Sequence, residues 1–251
     1  MYTKIWVSIA FLGLTTCLLA QTTDNANDAG KNKQEEYLNL YRRALAYNDL
    51  SSAAYALTGY LHYGGDNNFN DTLALVYYNM NNLAGAYKLA GEINAKDAKN
   101  ATALTLLADI SGRAGEVKKS LEWYEKLVEV APNPFNFYQL ATKQFVLERN
   151  LECKQSLQKV IVDSAEAMQQ QVRLDIGEGY GEDVPVLAAA MNMLGAIAFK
   201  EKDNVQARQW YAKALAAHPD FIIAKQNLEE MNKPATPAKP AATARPPVKK
   251  G

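Results

Sequence analysis

Four carboxylates, Asp175, Glu178, Glu182 and Asp183, lie within nine residues, a stretch that also holds Gly177, Gly179 and Gly181. Oxygen donors crowded on one turn are the raw material of a calcium site. Their spacing departs from the helix-loop-helix calcium loop, which needs carboxylates at alternate positions and a closing Glu. Two carboxylates can also act as acid and base on a glycosidic bond, provided a rigid frame sets their separation. Three glycines at alternate positions are a poor frame, so the stretch reads as a flexible acidic excursion. His62 and His218 are the only histidines. Neither has a Cys or His at ligand spacing, so a transition-metal site and a His-based triad are both unsupported. His218 precedes Pro219 at a helix end, where it is expected to meet the terminal carbonyls. Cys153 falls at a small-residue position and reads as a buried hydrophobe. No strand pattern is evident and no glycine-rich phosphate cradle follows one. The expectation is a protein without metal, cofactor or enzymatic activity.

The elements that carry these residues repeat. Ala101–Pro134 holds Leu104, Leu107, Ala108, Gly115, Tyr124 and Pro132, and matching offsets return at Met191, Leu194, Gly195, Ala207, Tyr211, Ala214 and Pro219. Weaker copies begin near Gln34, Asn67 and Pro134, and the fifth near Ala188. A period of about 34 residues is the mark of stacked helix pairs. Small residues (Ala86, Ala108, Gly195, Ala207) let paired helices approach, while Leu104, Leu107, Tyr124 and Tyr211 fill the space toward the next pair. Turns are expected at Gly115, Asn150 and Asp203–Asn204. About 20 extra residues, 164–187, separate the fourth and fifth units. There Val162–Leu174 reads as an extension of a helix and 175–183 as the flexible excursion.

These residues resemble the tetratricopeptide repeat family over about 34–219. The resemblance implies an all-α fold: a right-handed α-solenoid of about five helix pairs, with Phe221–Met231 as a C-terminal capping helix. It also implies a concave groove lined by the first helix of each pair. Family groove offsets fall on Asp71, Tyr78 and Asn79, on Thr105, Asp109 and Arg113, on Tyr138, Thr142 and Phe145, and on Asn192 and Lys200. Such a mix of aromatic and hydrogen-bonding groups suits an extended peptide. The Lys and Asn set that chaperone-binding members use is present only as isolated members.

The ends of the chain read differently. Lys4 is followed by an apolar run from Ile5 to Ala20, shorter than the roughly 20 residues of a membrane span. It reads as a secretory signal cleaved near Ala20–Gln21, the alternatives being an uncleaved anchor and a lipoprotein signal acylated at Cys17. Residues 21–33 form a polar linker and 34–232 the solenoid. Lys233–Gly251 is a basic, proline-rich tail unable to build a core. The chain has 27 basic and 27 acidic residues. Lys4 and five tail residues take six of the basic ones, leaving the body at 21 against 27, near −6, beside a tail of +5. An acidic body argues against nucleic acid as the main ligand. The expected protein is an exported, periplasmic or secreted scaffold for a protein or peptide. The alternative is a tether whose tail contacts wall polymer or an anionic membrane.

Overall fold

The computed structural model describes residues 29–177 and 179–232. The expected signal 1–20 with Cys17, linker residues 21–28, Glu178 and the tail 233–251 lie outside them. The chain divides into two compact units, Met1–Arg149 and Asn150–Gly251.

The first unit is built of helix pairs. Helix α1 (29–46) starts five residues before the expected opening at Gln34, taking in the end of the expected linker. It is followed by α2 (Leu50–His62), α3 (Phe69–Asn79), α4 (Leu83–Lys96), α5 (Ala101–Arg113), α6 (Val117–Val130) and α7 (Pro134–Val146). The sequence sets these boundaries locally. Side chains of Asp49, Asn82, Asn100 and Asn133 accept backbone N–H bonds in the first turns of α2, α4, α5 and α7, satisfying donors with no intrahelical partner. Pro134 opens α7, where its missing N–H costs nothing. Ala74, Ala86, Ala90, Leu106, Leu107 and Ile110 form one buried layer, and Leu104, Ala108, Leu121, Tyr124, Leu127 and Leu140 the next. No single pair closes its own core, so stability comes from stacking.

The repeat is written most sharply in the backbone. Residues with left-handed φ stand at Asn48, Asn81, Gly115, Glu148 and Lys202. The first four are 33, 34 and 33 residues apart, one in each short turn that follows α1, α3, α5 and α7. Asn and Gly tolerate this conformation, whereas Glu148 and Lys202 adopt it at a cost of about 1–2 kcal/mol each, met by the surrounding packing. The expected breakers Asn150 and Asp203–Asn204 stand just past the turning residues. Asn150 begins the next helix, and Asp203 caps its own through the N–H of Gln206.

The second unit begins with α8 (Asn150–Val162) and the short α9 (Ser164–Gln169). A hairpin follows, β1 (Gln171–Gly177) and β2 (Tyr180–Pro185), then α10 (Val186–Lys200), α11 (Asn204–Ala217) and α12 (Ile222–Asn232). Here the structure corrects the sequence reading. Val162–Leu174 is no helix extension, and the glycine stretch is the turn of an antiparallel ribbon with Val172 opposite Val184 and Arg173 opposite Asp183. Val172-Arg173-Leu174-Asp175-Ile176 alternates apolar and polar, which is strand periodicity. Gly177 and Gly179 supply positive φ at the reversal. Val172 and Val184 are buried, and Cys153 lies in the core of this unit with its thiol pushed up to about 12 by burial. Helix α12 covers the end of the stack, with Leu228 and Met231 on Ala198, Ala207 and Tyr211.

Candidate functional site

The four carboxylates that opened the question of chemistry have structural work where they are described. Asp175 accepts the N–H of Gly177 at 2.8 Å, which stiffens the hairpin turn. Asp183 pairs with Arg173 at 2.8 Å on the outer face of the ribbon. Glu182 points inward, and both of its oxygens lie 3.1 Å from the N–H of Ile222, so it caps α12. His218 turns its Nε2 toward the same carboxylate at 3.8 Å, where terminal carbonyls were expected. Among the described residues no three His, Cys, Asp or Glu side chains group as a metal site. The expected flexible acidic loop is therefore a strap that fixes the last helix.

The groove candidates divide by element. Nine lie on α3, α5 and α7 of the first unit, and Asn192 and Lys200 lie on α10 of the second. Three of the nine come together. Tyr78 donates its hydroxyl hydrogen to Asp109 Oδ2 at 2.5 Å, and Arg113 donates through Nη2 to the same hydroxyl oxygen. One turn apart on α5, Arg113 Nε and Asp109 Oδ2 form an ion pair of 2.8 Å. The guanidinium lies 4.8 Å from the centre of the Tyr78 ring. This cluster joins two first-position helices, α3 and α5, through residues 31 and 35 positions apart. Its members remain open to solvent, with the Arg113 and Asp109 side chains 51% and 36% exposed.

Burial, then the Asp109 hydrogen bond and charge, push the Tyr78 phenol up to about 12, with Arg113 opposing. Tyr124 lies deeper, its phenol raised far above the usual range by burial. Lys143 on α7 holds its ammonium 5.8 Å from the centre of the Tyr124 ring. Burial lowers its pKa and Asp109 works against that. Lys143 sits beside the expected Thr142 in sequence, and its half-buried cation belongs to the same electrostatic neighbourhood. No sequence pattern marked it, because a lone lysine on an amphipathic helix reads as solvated.

The other candidates have different roles. Tyr138, expected in the groove, is 4% exposed, so its side chain is buried. Asp71 accepts from Asn100 Nδ2 at 2.9 Å, bracing the capping side chain of α5. Thr105 and Thr142 donate their hydroxyls to the carbonyls of Ala101 and Tyr138, one turn back in their own helices. Asn79 is exposed at the end of α3 and Phe145 is half-buried. Asn192 accepts from Asn227 of α12 at 2.8 Å, so the capping helix occupies that position. Lys200 is exposed at the end of α10.

The Tyr78 pKa carries a prediction. A folded value near 12, against an ordinary 10, means that the protonated phenol stabilises the fold below pH 10 and that this contribution is lost as pH rises through 12. Tyr78→Phe removes the group that titrates. The stability gap between wild type and Tyr78→Phe should be widest below pH 10 and shrink toward pH 12, as measured by denaturant unfolding across that range. A gap independent of pH contradicts the assignment.

No family model matches the sequence, and no curated protein matches it significantly. Solved structures do. A tetratricopeptide repeat protein from Parabacteroides merdae is similar over 80% of this chain and 72% of its own, at 14% identity and a TM-score of 0.62. MamA from Desulfovibrio magneticus RS-1 matches over 76% of this chain and 97% of its own, at 15% identity and 0.59. A further MamA structure is covered completely by 82% of this chain, at 12% identity and 0.59. Identities this low show the fold alone. Taken with the turn register and the helix pairs, they establish that this chain has the tetratricopeptide-repeat fold.

Proposed function

We propose that the protein is a non-catalytic scaffold that binds an extended segment of a partner protein on the first-position helices α3, α5 and α7. The observation that carries this reading is the Tyr78–Asp109–Arg113 cluster. It orders an aromatic ring and a guanidinium on a solvent-exposed face, and aromatic and Arg side chains are those that dominate protein interfaces. Ordering before contact lowers the entropy that binding must overcome. Lys4 and the apolar run that follows support export, which puts the partner in the cell envelope or outside the cell.

The test is capture from an envelope extract with residues 21–251 as bait. A Tyr78→Ala, Arg113→Ala double variant should keep its circular dichroism and lose the partner. Full capture by the folded double variant removes this face from consideration. A second reading rests on charge, a tail of +5 beside a body near −6. In that reading the tail 233–251 tethers the protein to an anionic polymer or membrane. Residues 21–232 then capture nothing, and capture by the longer bait collapses with added salt, because exposed charges are screened.

A further inference from the structure

Beside the cluster, the first unit carries a cleft of about 420 Å³ whose chemistry differs from that of the surrounding body. Its apolar lining comes from Leu83, Ala84 and Tyr87 on the first turns of α4 and from Ile110 near the end of α5. Lys88, Arg113 and Lys119 stand around it against the single carboxylate of Glu116. Lys119 is held in place by Glu116 at 3.1 Å and lies 4.9 Å from the centre of the Tyr87 ring. Arg113 is shared, since it lines the cleft and donates to Tyr78. The beginnings of α4 and α6 border the cleft with partial positive charge, and the end of α5 offsets part of it with the partial negative charge of a helix C-terminus, so the side-chain cations set the sign. An apolar cavity ringed by cations is thus set into a body whose overall charge is near −6.

We propose that this cleft anchors a bulky apolar side chain of the partner, presented by a segment with acidic residues on either side. A cleft of this size suits one large side chain, with a few polar groups fixing its orientation. Cations at the rim select acidic flanks and reject basic ones, which would meet like charge. Because Arg113 belongs to both places, a segment running over α3 and α5 reaches the cleft without leaving the cluster. The proposal rests on the reading of the protein as a peptide-binding scaffold and supplies the chemistry of the peptide.

The test uses the full chain and a fluorescein-labelled peptide, Asp-Glu-Trp-Glu-Asp, followed by anisotropy. Binding should saturate with Kd below about 1 mM. It should weaken at least about tenfold when alanine replaces the tryptophan or lysines replace the acids, a loss of roughly 1.4 kcal/mol. Ala84 and Lys88 are exposed, so substitution there spares the core. Ala84→Trp fills the cleft and should cost at least about tenfold, and Lys88→Glu about fivefold. Lys159→Glu removes an exposed cation of α8, an element outside the cleft lining and the first-position helices, and should leave this peptide's affinity unchanged. No saturation, equal binding of the basic peptide, or full binding by Ala84→Trp each overturns the cleft. Loss of peptide binding in Lys159→Glu also overturns it, and failure of the peptide with partner capture still lost in Tyr78→Ala overturns the cleft while leaving the groove reading intact. Peptide binding as expected, with partner capture untouched by Tyr78→Ala, keeps the cleft and removes the groove.

Discussion

Tyr211→Ala is expected to lower the stability of the second unit by about 3–5 kcal/mol, the range for truncating a buried aromatic ring. Tyr211 is 2% exposed and packs with Ala198 and Ala207 under Leu228 and Met231 of α12. Its ring lies flush on the backbone at Gly195, where an added Cβ would stand 2.5 Å from it. The same fit makes Gly195→Ala destabilising. Alanine gains about 1 kcal/mol in helix propensity. Overpacking against a ring that has no room to retreat costs about 1–3 kcal/mol. Gly195→Ala combined with Tyr211→Ala should therefore recover part of the alanine penalty, which a double-mutant cycle reads as coupling between the sites. Denaturant unfolding measures each loss, and hydrogen exchange should place it in α10, α11 and α12. A loss under about 1 kcal/mol for Tyr211→Ala would deny the ring its role in the stack.

The pairing of Gly195 with Tyr211 was legible in the sequence, because Ala108 and Tyr124 stand at the same separation one clear repeat earlier. Periodicity carries such information well: every copy must bury the same face, so the constraint is repeated along the chain. The hairpin is not legible for the opposite reason. It occurs once, and three glycines at alternate positions are as compatible with a flexible loop as with the turn of a ribbon, so the alternation from Val172 to Ile176 has no second copy to support it. The site was half legible. Family offsets point to Tyr78, Asp109 and Arg113, which the structure brings together, and also to Tyr138, which is buried, and Asn192, which bonds to α12. Offsets report position on a helix and are blind to what the next element places over it. Lys143 and the residues of the cleft were invisible because their meaning depends on three helices meeting.

Asp109→Ala is expected to weaken partner binding by about 10–100-fold, or roughly 1.4–2.8 kcal/mol, while changing stability by less than about 1 kcal/mol. The carboxylate is partly exposed, so its pair with Arg113 contributes little to folding. Its effect lies in arrangement. Oδ2 receives both the Tyr78 hydroxyl and Arg113 Nε, and without it the ring and the guanidinium must be ordered anew each time a partner binds. The electrostatic signature is specific. Asp109 raises the pKa of both Tyr78 and Lys143, so both should titrate lower in the variant. NMR titration of the Lys143 ammonium and the Tyr78 ring reads this without any partner. Asp109→Asn separates shape from charge, since the amide oxygen still accepts from Tyr78 while the ion pair is gone. If arrangement governs binding, the Asn variant keeps most of the affinity, lowers the Lys143 pKa as the Ala variant does, and lowers that of Tyr78 only in part, because the hydrogen bond remains. If charge governs it, Asn and Ala lose alike. Undiminished capture by the Ala variant, with both pKa values lowered, would mean that the cluster is ordered on the surface and serves no partner.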